Sequence, residues 1–321
     1  MRWGILSTAR INRAIVPALQ ESPLSELVAV ASRTRERADA YAGEHGIPRA
    51  YASYDALLAD DEAEAIYISL PNALHVEWSV RALEAGKHVL CEKPLSRHPA
   101  EVERAFAAAG ANGRLLVEAF MWRHHPQTHR FAALVADEAI GELRLVRASF
   151  SFTVDEGNVR LEPELDGGAL MDVGCYCVSG IRLLAGEPRS VAAHQLVGPT
   201  GVDLRLVATL ACANDVLAQL DCAFDLPLRQ RLEAVGSEGT LAAAWPWNAR
   251  EPGLELRRGD AVEWLEVDPA NAYRLQCDNV SLSVRGAASP LLDADDALGQ
   301  ARTIDALYRS AEAGGAPQQM R

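Results

Sequence analysis

The segment Val89-Leu90-Cys91-Glu92-Lys93-Pro94-Leu95 combines a short apolar run with an abrupt polar ending. Its first three residues predict a buried strand, and Pro94 ends that strand because proline lacks the N–H that a ladder needs. Ligands bind at the carboxyl ends of the strands in open parallel sheets. A charged pair there is costly unless both charges have partners or a function, so Glu92 and Lys93 are candidate functional residues.

Lysine is rare in this chain. Of 31 lysine and arginine residues, 29 are arginine (31 − 2) and the two lysines are Lys87 and Lys93. Arginine keeps its proton in proteins, whereas a buried lysine amine can be tuned to release one. Lys93 is therefore a candidate proton-transfer group. The alternative is a solvated loop residue paired with Glu92.

Composition limits the class of protein. The 321 residues suffice for two domains that share one active cleft. A net charge of −13 argues against nucleic acid or an anionic membrane as partner. From the sequence we expect no signal peptide and no membrane span, because no apolar run approaches the required length. Six scattered cysteines without a C-x-x-C motif indicate reduced thiols. We therefore expect a cytoplasmic protein.

The pattern of predicted strands and helices changes near residue 120. Residues 1–120 alternate strands with helices, which predicts a doubly wound parallel sheet of the Rossmann type. Residues 121–321 contain several strand-like runs after a helix, which predicts an α+β domain with a large, mostly antiparallel open sheet. The strands predicted in the first domain are Arg2–Leu6, Leu27–Ala31, Ala65–Leu70, His88–Cys91 and Leu115–Ala119.

The first strand leads into a substituted glycine-rich turn. Ser7, Ala9 and Asn12 stand where the pattern G-x-G-x-x-G would place glycine. Because serine and alanine are small, backbone N–H groups and the helix dipole could still receive a pyrophosphate. The alternative is an ordinary strand-to-helix turn. The turn also contains Thr8, Arg10 and Ile11.

The end of the second strand bears on the choice of dinucleotide. Ser32, Arg33 and Thr34 follow the strand, and Arg37 is nearby. An acidic residue there would bind the free 2′-hydroxyl of NAD, whereas arginine accommodates the 2′-phosphate of NADP. These residues favour NADP. The alternative is a solvated helix start.

Residues just after the last parallel strand are a further candidate. Trp122 and Arg123 would offer an aromatic face and polar donors to a sugar ring, and core packing of Trp122 is the alternative. His124, His125 and His129 could form a ligand cluster, but no carboxylate lies at a matching spacing, so we predict no metal site.

Several motifs occur together in a specific order: Ser69-Leu70-Pro71-Asn72 with His75, then Glu92-Lys93-Pro94, Glu118-Ala119-Phe120-Met121-Trp122-Arg123, Gly167–Tyr176 and Gly236–Thr240. Over nearly its whole length the sequence resembles the glucose–fructose oxidoreductase/inositol dehydrogenase (Gfo/Idh/MocA) family. Within it, the sequence is most similar to the branch that contains dimeric dihydrodiol dehydrogenase and NADP-dependent xylose dehydrogenase.

The resemblance implies the catalytic residues. Lys93 would be the catalytic lysine, and Asp172 and Tyr176 would face it from the second domain. Much of the family has histidine at position 176 and an acidic residue at the position of Ser179, whereas tyrosine matches the sugar and dihydrodiol branch. Asp172 and Tyr176 are four residues apart at a helix start and share one face. The alternatives are a helix N-cap for Asp172 and a core aromatic for Tyr176.

The predicted function is an NADP-dependent oxidoreductase that transfers a hydride between the nicotinamide and a pyranose sugar or a related cyclic alcohol or carbonyl compound. Lys93 and Tyr176 would handle the proton. A keto-sugar reductase, a trans-dihydrodiol dehydrogenase and a non-catalytic NADP-binding regulator are the alternatives; a regulator would need neither residue. The resemblance also implies a homo-oligomer, a dimer or tetramer, formed through the second-domain sheet. The predicted cofactor-binding residues are Ser7, Thr8, Ala9, Arg10, Ile11, Ser32, Arg33, Thr34, Arg37, Leu70, Pro71, Asn72, His75, Glu92, Lys93, Trp122 and Arg123.

Overall fold

The computed structural model describes residues 1–320, which form two compact units. Unit 1 consists of Met1–Met121 and Asn271–Leu298. Unit 2 consists of Trp122–Ala270 and residues 299–320. The sequence placed the boundary one residue earlier and assigned residues 271–298 to the second domain. In the structure this late segment belongs to unit 1.

Unit 1 contains a six-stranded sheet in which every pair of neighbours is parallel, in the order β3-β2-β1-β4-β5-β6. The predicted Rossmann-type sheet is confirmed. Its strands are β1 (Arg2–Leu6), β2 (Glu26–Ala31), β3 (Arg49–Tyr51), β4 (Ala65–Ile68), β5 (His88–Glu92) and β6 (Leu116–Ala119). Its first five helices are α1 (Asn12–Glu21), α2 (Arg35–His45), α3 (Tyr54–Leu58), α4 (His75–Glu84) and α5 (Pro99–Ala111).

A helix from late in the chain explains the correction to the domain assignment. This helix (Ala272–Val284, labelled α8 in chain order) packs against α1. Its Cys277 and Val280 are fully buried, and its Asp278 accepts a hydrogen bond from the Ser22 hydroxyl. The buried apolar face of the helix therefore completes the core of unit 1.

Unit 2 contains a nine-stranded sheet, and the predicted mostly antiparallel architecture is confirmed. Its order is β14-β13-β12-β11-β7-β10-β9-β8-β15, and only β7 and β10 pair in parallel among the strands of residues 1–320 in this sheet. The strands are β7 (Leu143–Ser151), β8 (Ser190–Val197), β9 (Asp203–Ala211), β10 (Leu217–Ala223), β11 (Arg229–Gly236), β12 (Thr240–Ala243), β13 (Gly253–Arg258), β14 (Ala261–Glu266) and β15 (Gln318–Gln319). The helices are α6 (Pro126–Ala136) and α7 (Cys175–Ala185), and α9 (Ala294–Glu312) contributes residues to both units.

The sequence predicted that no apolar run is long enough to span a membrane. The segment Pro163–Ala185, which ends with α7, is an exception. Its most apolar 18-residue window has a mean hydropathy of 1.3, which meets that requirement by length and composition. However, 78% of the window is buried. Because α7 packs against β7, β10 and β11, the segment is a core element of unit 2.

Candidate active site

Lys93 follows β5, which lies between β4 and β6 in the parallel sheet. The side chain is half-buried rather than fully solvated, and the Lys93–Pro94 peptide bond is cis. Leu95, two residues after Lys93, is hydrogen-bonded to the neighbouring strand β6. Its N–H donates to Oε1 of the buried Glu118 at 2.7 Å. The fold thus holds Lys93 at the carboxyl end of a strand, as the sequence predicted.

His75 also fastens this edge of the sheet. Its ring is 1% exposed, with Nδ1 2.8 Å from the Pro94 carbonyl oxygen and Nε2 2.8 Å from that of Leu70. Both ring nitrogens therefore contact backbone groups within the protein. These contacts hold the two loops at the sheet edge together, and the predicted cofactor contact of His75 stays a prediction. Pro71 and Asn72 beside it are half-buried.

Two tyrosines that the sequence did not identify lie near Glu92. The fully buried Tyr67 of β4 donates its hydroxyl hydrogen bond to Oε1 of Glu92, and burial and that carboxylate raise the pKa of Tyr67 well above its usual range. Tyr273 of α8 is the second. Burial raises the pKa of Tyr273 to about 12, with Glu92 adding to the increase and Lys93 opposing it. Both phenols therefore stay protonated at neutral pH.

The substituted turn keeps the geometry that glycine usually supplies. Ser7 has a φ of 112°, in the region that favours glycine, at a cost of about 1 kcal/mol. Hydrogen bonds offset that cost: the Ser7 hydroxyl donates to the Ser69 carbonyl oxygen at 3.0 Å and accepts from the Ala9 N–H at 3.2 Å. The Asn12 side-chain amide donates to the Ser7 carbonyl oxygen at 2.9 Å. The turn is therefore held by side chains, and α1 begins directly after it.

The end of β2 presents positive charge. Ser32 is buried, whereas Arg33, Thr34 and Arg37 are exposed. The Thr34 side chain accepts from the Arg37 N–H at 3.3 Å and so caps α2. Tyr54, which opens α3, lies within the electrostatic influence of these arginines: burial raises its pKa, and Arg33 and Arg37 oppose that shift. The sequence did not identify Tyr54.

Asp172 in unit 2 has a different partner from the one predicted by the N-cap alternative. It lies in a π-helical turn, Leu170–Gly174, directly before α7, and its Oδ2 accepts a 2.6 Å hydrogen bond from Nε of Arg160. The carboxylate that accepts from the first N–H of this turn belongs to Asp203, whose Oδ2 is 2.7 Å from the Leu170 nitrogen. Capping by Asp203 leaves the Asp172 side chain to pair with Arg160. Short π-helical turns are frequent at functional sites.

Tyr176 belongs to a row of aromatic side chains. Its ring centroid is 5.6 Å from that of Phe150 and 6.0 Å from that of Trp247, and Phe150 is 6.2 Å from Phe152. Tyr176, Phe150 and Phe152 are half-buried. The core-aromatic alternative therefore describes only one side of Tyr176. The sequence signal for this row was a pair of aromatic residues at alternate positions, with Phe150 near the end of β7 and Phe152 just after it.

Trp122 follows the core-packing alternative. Its ring is 1% exposed and makes an edge-to-face contact with Trp247 at 5.0 Å. The burial of the ring favours core packing, and the contact of Trp122 with a cofactor or a sugar stays a prediction. Arg123 is half-buried, and its Nη1 is 3.5 Å from the Ser179 hydroxyl oxygen.

Comparisons with known proteins agree with these features. Residues 1–120 match Gfo/Idh/MocA, an oxidoreductase family with an NAD-binding Rossmann fold, and residues 128–242 match the C-terminal domain of that family. The chain is 40% identical to D-xylose 1-dehydrogenase (NADP(+)) 2 of Haloferax volcanii, over 98% of this chain and 99% of that protein. It is 35% identical to trans-1,2-dihydrobenzene-1,2-diol dehydrogenase of Xenopus laevis, over 75% and 74%.

A solved structure extends the likeness to three dimensions. The crystal structure of KijD10, a 3-ketoreductase from Actinomadura kijaniata in complex with NADP and TDP-benzene, superposes with a TM-score of 0.92 at 33% identity, over 97% of each chain. The sequence likeness to relatives spans both units, and Lys93 and Tyr176 lie at the strand end and the helix start that the sequence pattern predicted. The chain therefore belongs to the Gfo/Idh/MocA family of oxidoreductases.

Proposed function

We propose that this chain is an NADP-dependent oxidoreductase that transfers a hydride between the nicotinamide and carbon 1 of a pyranose sugar. The observation that carries the proposal is the 40% identity, over 98% of the chain, with an NADP-dependent xylose 1-dehydrogenase. The presence of Lys93 and Tyr176 supports turnover rather than NADP sensing, since a sensor would need neither. The division of labour follows the predicted one, with unit 1 binding the dinucleotide and unit 2 the sugar.

The residues of unit 1 fit NADP. The turn at Ser7 leads into the N-terminus of α1, where backbone N–H groups and the helix dipole suit a pyrophosphate. No acidic residue occupies positions 32–35, and the exposed Arg33 and Arg37 suit a 2′-phosphate. Bound NADP would accept or donate the hydride.

The catalytic roles belong to three side chains. In the oxidation direction, the reacting hydroxyl gives its single proton to Tyr176, which Lys93 assists, while the hydride leaves with the C–H electron pair. Glu92, which accepts a hydrogen bond from the Tyr67 hydroxyl, directly precedes Lys93 in the chain. Asp172 serves as a hydrogen-bond acceptor for the sugar. A cytoplasmic location fits these roles and the six buried free thiols.

Reduction of a keto-sugar is the second candidate. The observation that favours it is the TM-score of 0.92 to the ketoreductase KijD10. The same two side chains serve that direction, because Tyr176 then donates the proton that it accepts in oxidation. Oxidation of a dihydrodiol is the corresponding variant in the branch that includes the Xenopus laevis enzyme.

We also propose that a second copy of the chain covers the open face of the nine-stranded sheet. That face has a depression of about 580 Å³ and alternates charges, with Arg147 3.4 Å from Glu233, and Arg229 paired with Asp221. Val207 is 53% exposed among them. A two-fold interface needs a self-complementary patch, and a patch that carries both signs of charge can supply one. Light scattering should give the mass of a dimer or tetramer, and a monomer at every concentration would contradict the proposal.

The catalytic assignment is tested with substitutions that keep packing. Lys93→Met and Tyr176→Phe should each lower turnover about a hundredfold or more, because each removes a proton-transfer group, while NADP affinity holds. The measurement is the initial rate of NADPH formation with xylose or glucose. Lys87→Met is the matched control, since Lys87 is the other lysine and its Nζ donates to the Asp60 carbonyl oxygen at 2.7 Å. Near-normal turnover in either catalytic variant would remove that residue from the mechanism.

A further inference from the structure

Arg160 is held in place by its own backbone. It lies in the 3₁₀ turn Val159–Leu161, where its N–H donates to Oδ1 of Asn158 at 3.1 Å and its carbonyl oxygen accepts from the Gly168 N–H at 2.9 Å. A Cβ atom at Gly167 would come within 2.4 Å of that carbonyl oxygen. The chain therefore requires a glycine at this position for the close approach between the Arg160 backbone and the residues that precede the π-helical turn.

The Arg160 guanidinium is fixed as well. Its Nε donates to Oδ2 of Asp172 at 2.6 Å, and its Cζ is 5.9 Å from the ring centroid of Phe152. The Arg160 side chain is 42% exposed and that of Asp172 is 17% exposed. A guanidinium has five N–H donors, and a carboxylate accepts several hydrogen bonds. Such a pair can therefore bind one hydroxyl group, which accepts from the guanidinium and donates to the carboxylate.

The aromatic row continues from this ion pair toward Tyr176. Phe152, Phe150 and Tyr176 follow one another with ring centroids 6.2 and 5.6 Å apart. A pyranose has an apolar face of C–H groups that packs on aromatic rings and an edge of hydroxyl groups that needs donors and acceptors. The row and the ion pair within unit 2 supply both kinds of surface.

We propose that Arg160 is a specificity-determining residue that, together with Asp172, binds the hydroxyl group next to the reacting carbon. Phe150 and Phe152 support the ring of the sugar. The substrate class is thereby narrowed to pyranoses with a free hydroxyl at carbon 2, adjacent to the hydroxyl that is oxidised at carbon 1. This inference rests on the proposed function, because it places carbon 1 at Tyr176.

The test is a double-mutant cycle between protein and sugar. The protein loses the Arg160 guanidinium, and the sugar loses its hydroxyl group at carbon 2. The unmodified enzyme and Arg160→Met are each assayed with glucose and with 2-deoxyglucose and NADP. Arg160→Met should raise the KM for glucose about tenfold or more and change that for 2-deoxyglucose less than about twofold, because a lost charge-assisted hydrogen bond affects only the sugar that makes it. Arg250→Met is the matched control: its guanidinium lies 5.8 Å from the ring of Trp245 elsewhere in unit 2.

The outcomes separate this inference from the proposed function. If the unmodified enzyme oxidises glucose but Arg160→Met affects both sugars equally, the inference is overturned and the proposed function stands. If the unmodified enzyme in the presence of NADP neither oxidises nor calorimetrically binds any aldose, both are overturned. If Arg160→Met does not fold, Arg160→Lys replaces it, because lysine keeps the charge without the planar guanidinium. Arg160→Lys should still raise the KM for glucose more than the KM for 2-deoxyglucose. An equal effect on the two KM values also overturns the inference.

Discussion

Arg33 is the side chain on which the cofactor preference depends most directly. It is exposed just after β2, and residues 32–35 contain no carboxylate. Arg33→Asp should lower the affinity for NADP about ten- to a hundredfold, because paired hydrogen bonds to a phosphate are lost, and should improve binding of NAD. Cofactor titrations check this, with Arg35→Asp as the control, since Arg35 pairs with Asp39 at 2.8 Å. If the unmodified protein binds NADP and NAD with equal affinity, Arg33 does not determine a cofactor preference.

His124 should make the protein sensitive to acid. Burial lowers its pKa to about 3, with positive charge on His129 and Arg123 adding to the shift. An unfolded histidine has a pKa of about 6.5, so between these values the unfolded state binds the extra proton. Stability from this group is therefore present above about pH 6.5 and is lost as the pH falls, by at most about 1.4 kcal/mol per pH unit.

The measurement is the free energy of unfolding of His124→Gln from pH 7 to pH 4. At pH 7 the variant should be the less stable protein because it packs less well. Its deficit should shrink or reverse by pH 4, since it has no proton to gain. The exposed His98 provides the control substitution, His98→Gln, whose profile should run parallel to that of the unmodified protein. A parallel profile for His124→Gln itself would contradict the account.

Individual residues differ in how well the sequence predicts them. Lys93 and Arg33 were identifiable because each follows a strong apolar strand, so their place at the sheet edge is set locally. Tyr67 and Arg160 were not identified, because their importance depends on partners that are distant in sequence, Glu92 and Asp172. Trp122 was ambiguous because an aromatic residue after a strand suits either the core or a cleft, and its neighbour Trp247 decides in favour of the core.

At the scale of elements, strength of pattern decided what could be predicted. β1, β2 and β5 are continuous apolar runs and were predicted to within one residue at either end. The three-residue β3 is too short to carry a pattern, and its place in the sheet comes from pairing with β2. Helix α8 was not predicted because its sequence is only weakly amphipathic. Its buried face is defined by packing against α1, which is distant in the sequence.

A prediction about α8 tests its place in the core of unit 1. Val280 is fully buried, so Val280→Ala should lower the free energy of unfolding by about 2 kcal/mol through lost burial and a residual cavity. Val262 in β14 is 52% exposed, and Val262→Ala is the matched control with a change near zero. Denaturant unfolding measures both. Equal small changes would mean that α8 contributes little to the stability of unit 1.

At the scale of the whole molecule, the two sheet types were predictable because periodicity changes near residue 120. The return of residues 271–298 to unit 1 was not, since chain order carries no signal for it. The similarity to Gfo/Idh/MocA relatives spans both units, which supports a function that uses both. Each unit by itself presents half of the proposed chemistry, with Lys93 in one and Tyr176 in the other.

The proposed oxidation of an aldopyranose with NADP can be assayed directly. The most direct test incubates the protein with NADP or NAD and a panel of aldoses, and follows absorbance at the band of the reduced nicotinamide. We expect reduction of NADP in preference to NAD with xylose or glucose, at a rate that rises toward alkaline pH because oxidation releases a proton. Absence of turnover with every aldose, together with clean reduction of a keto-sugar by NADPH or oxidation of a dihydrodiol, would contradict it.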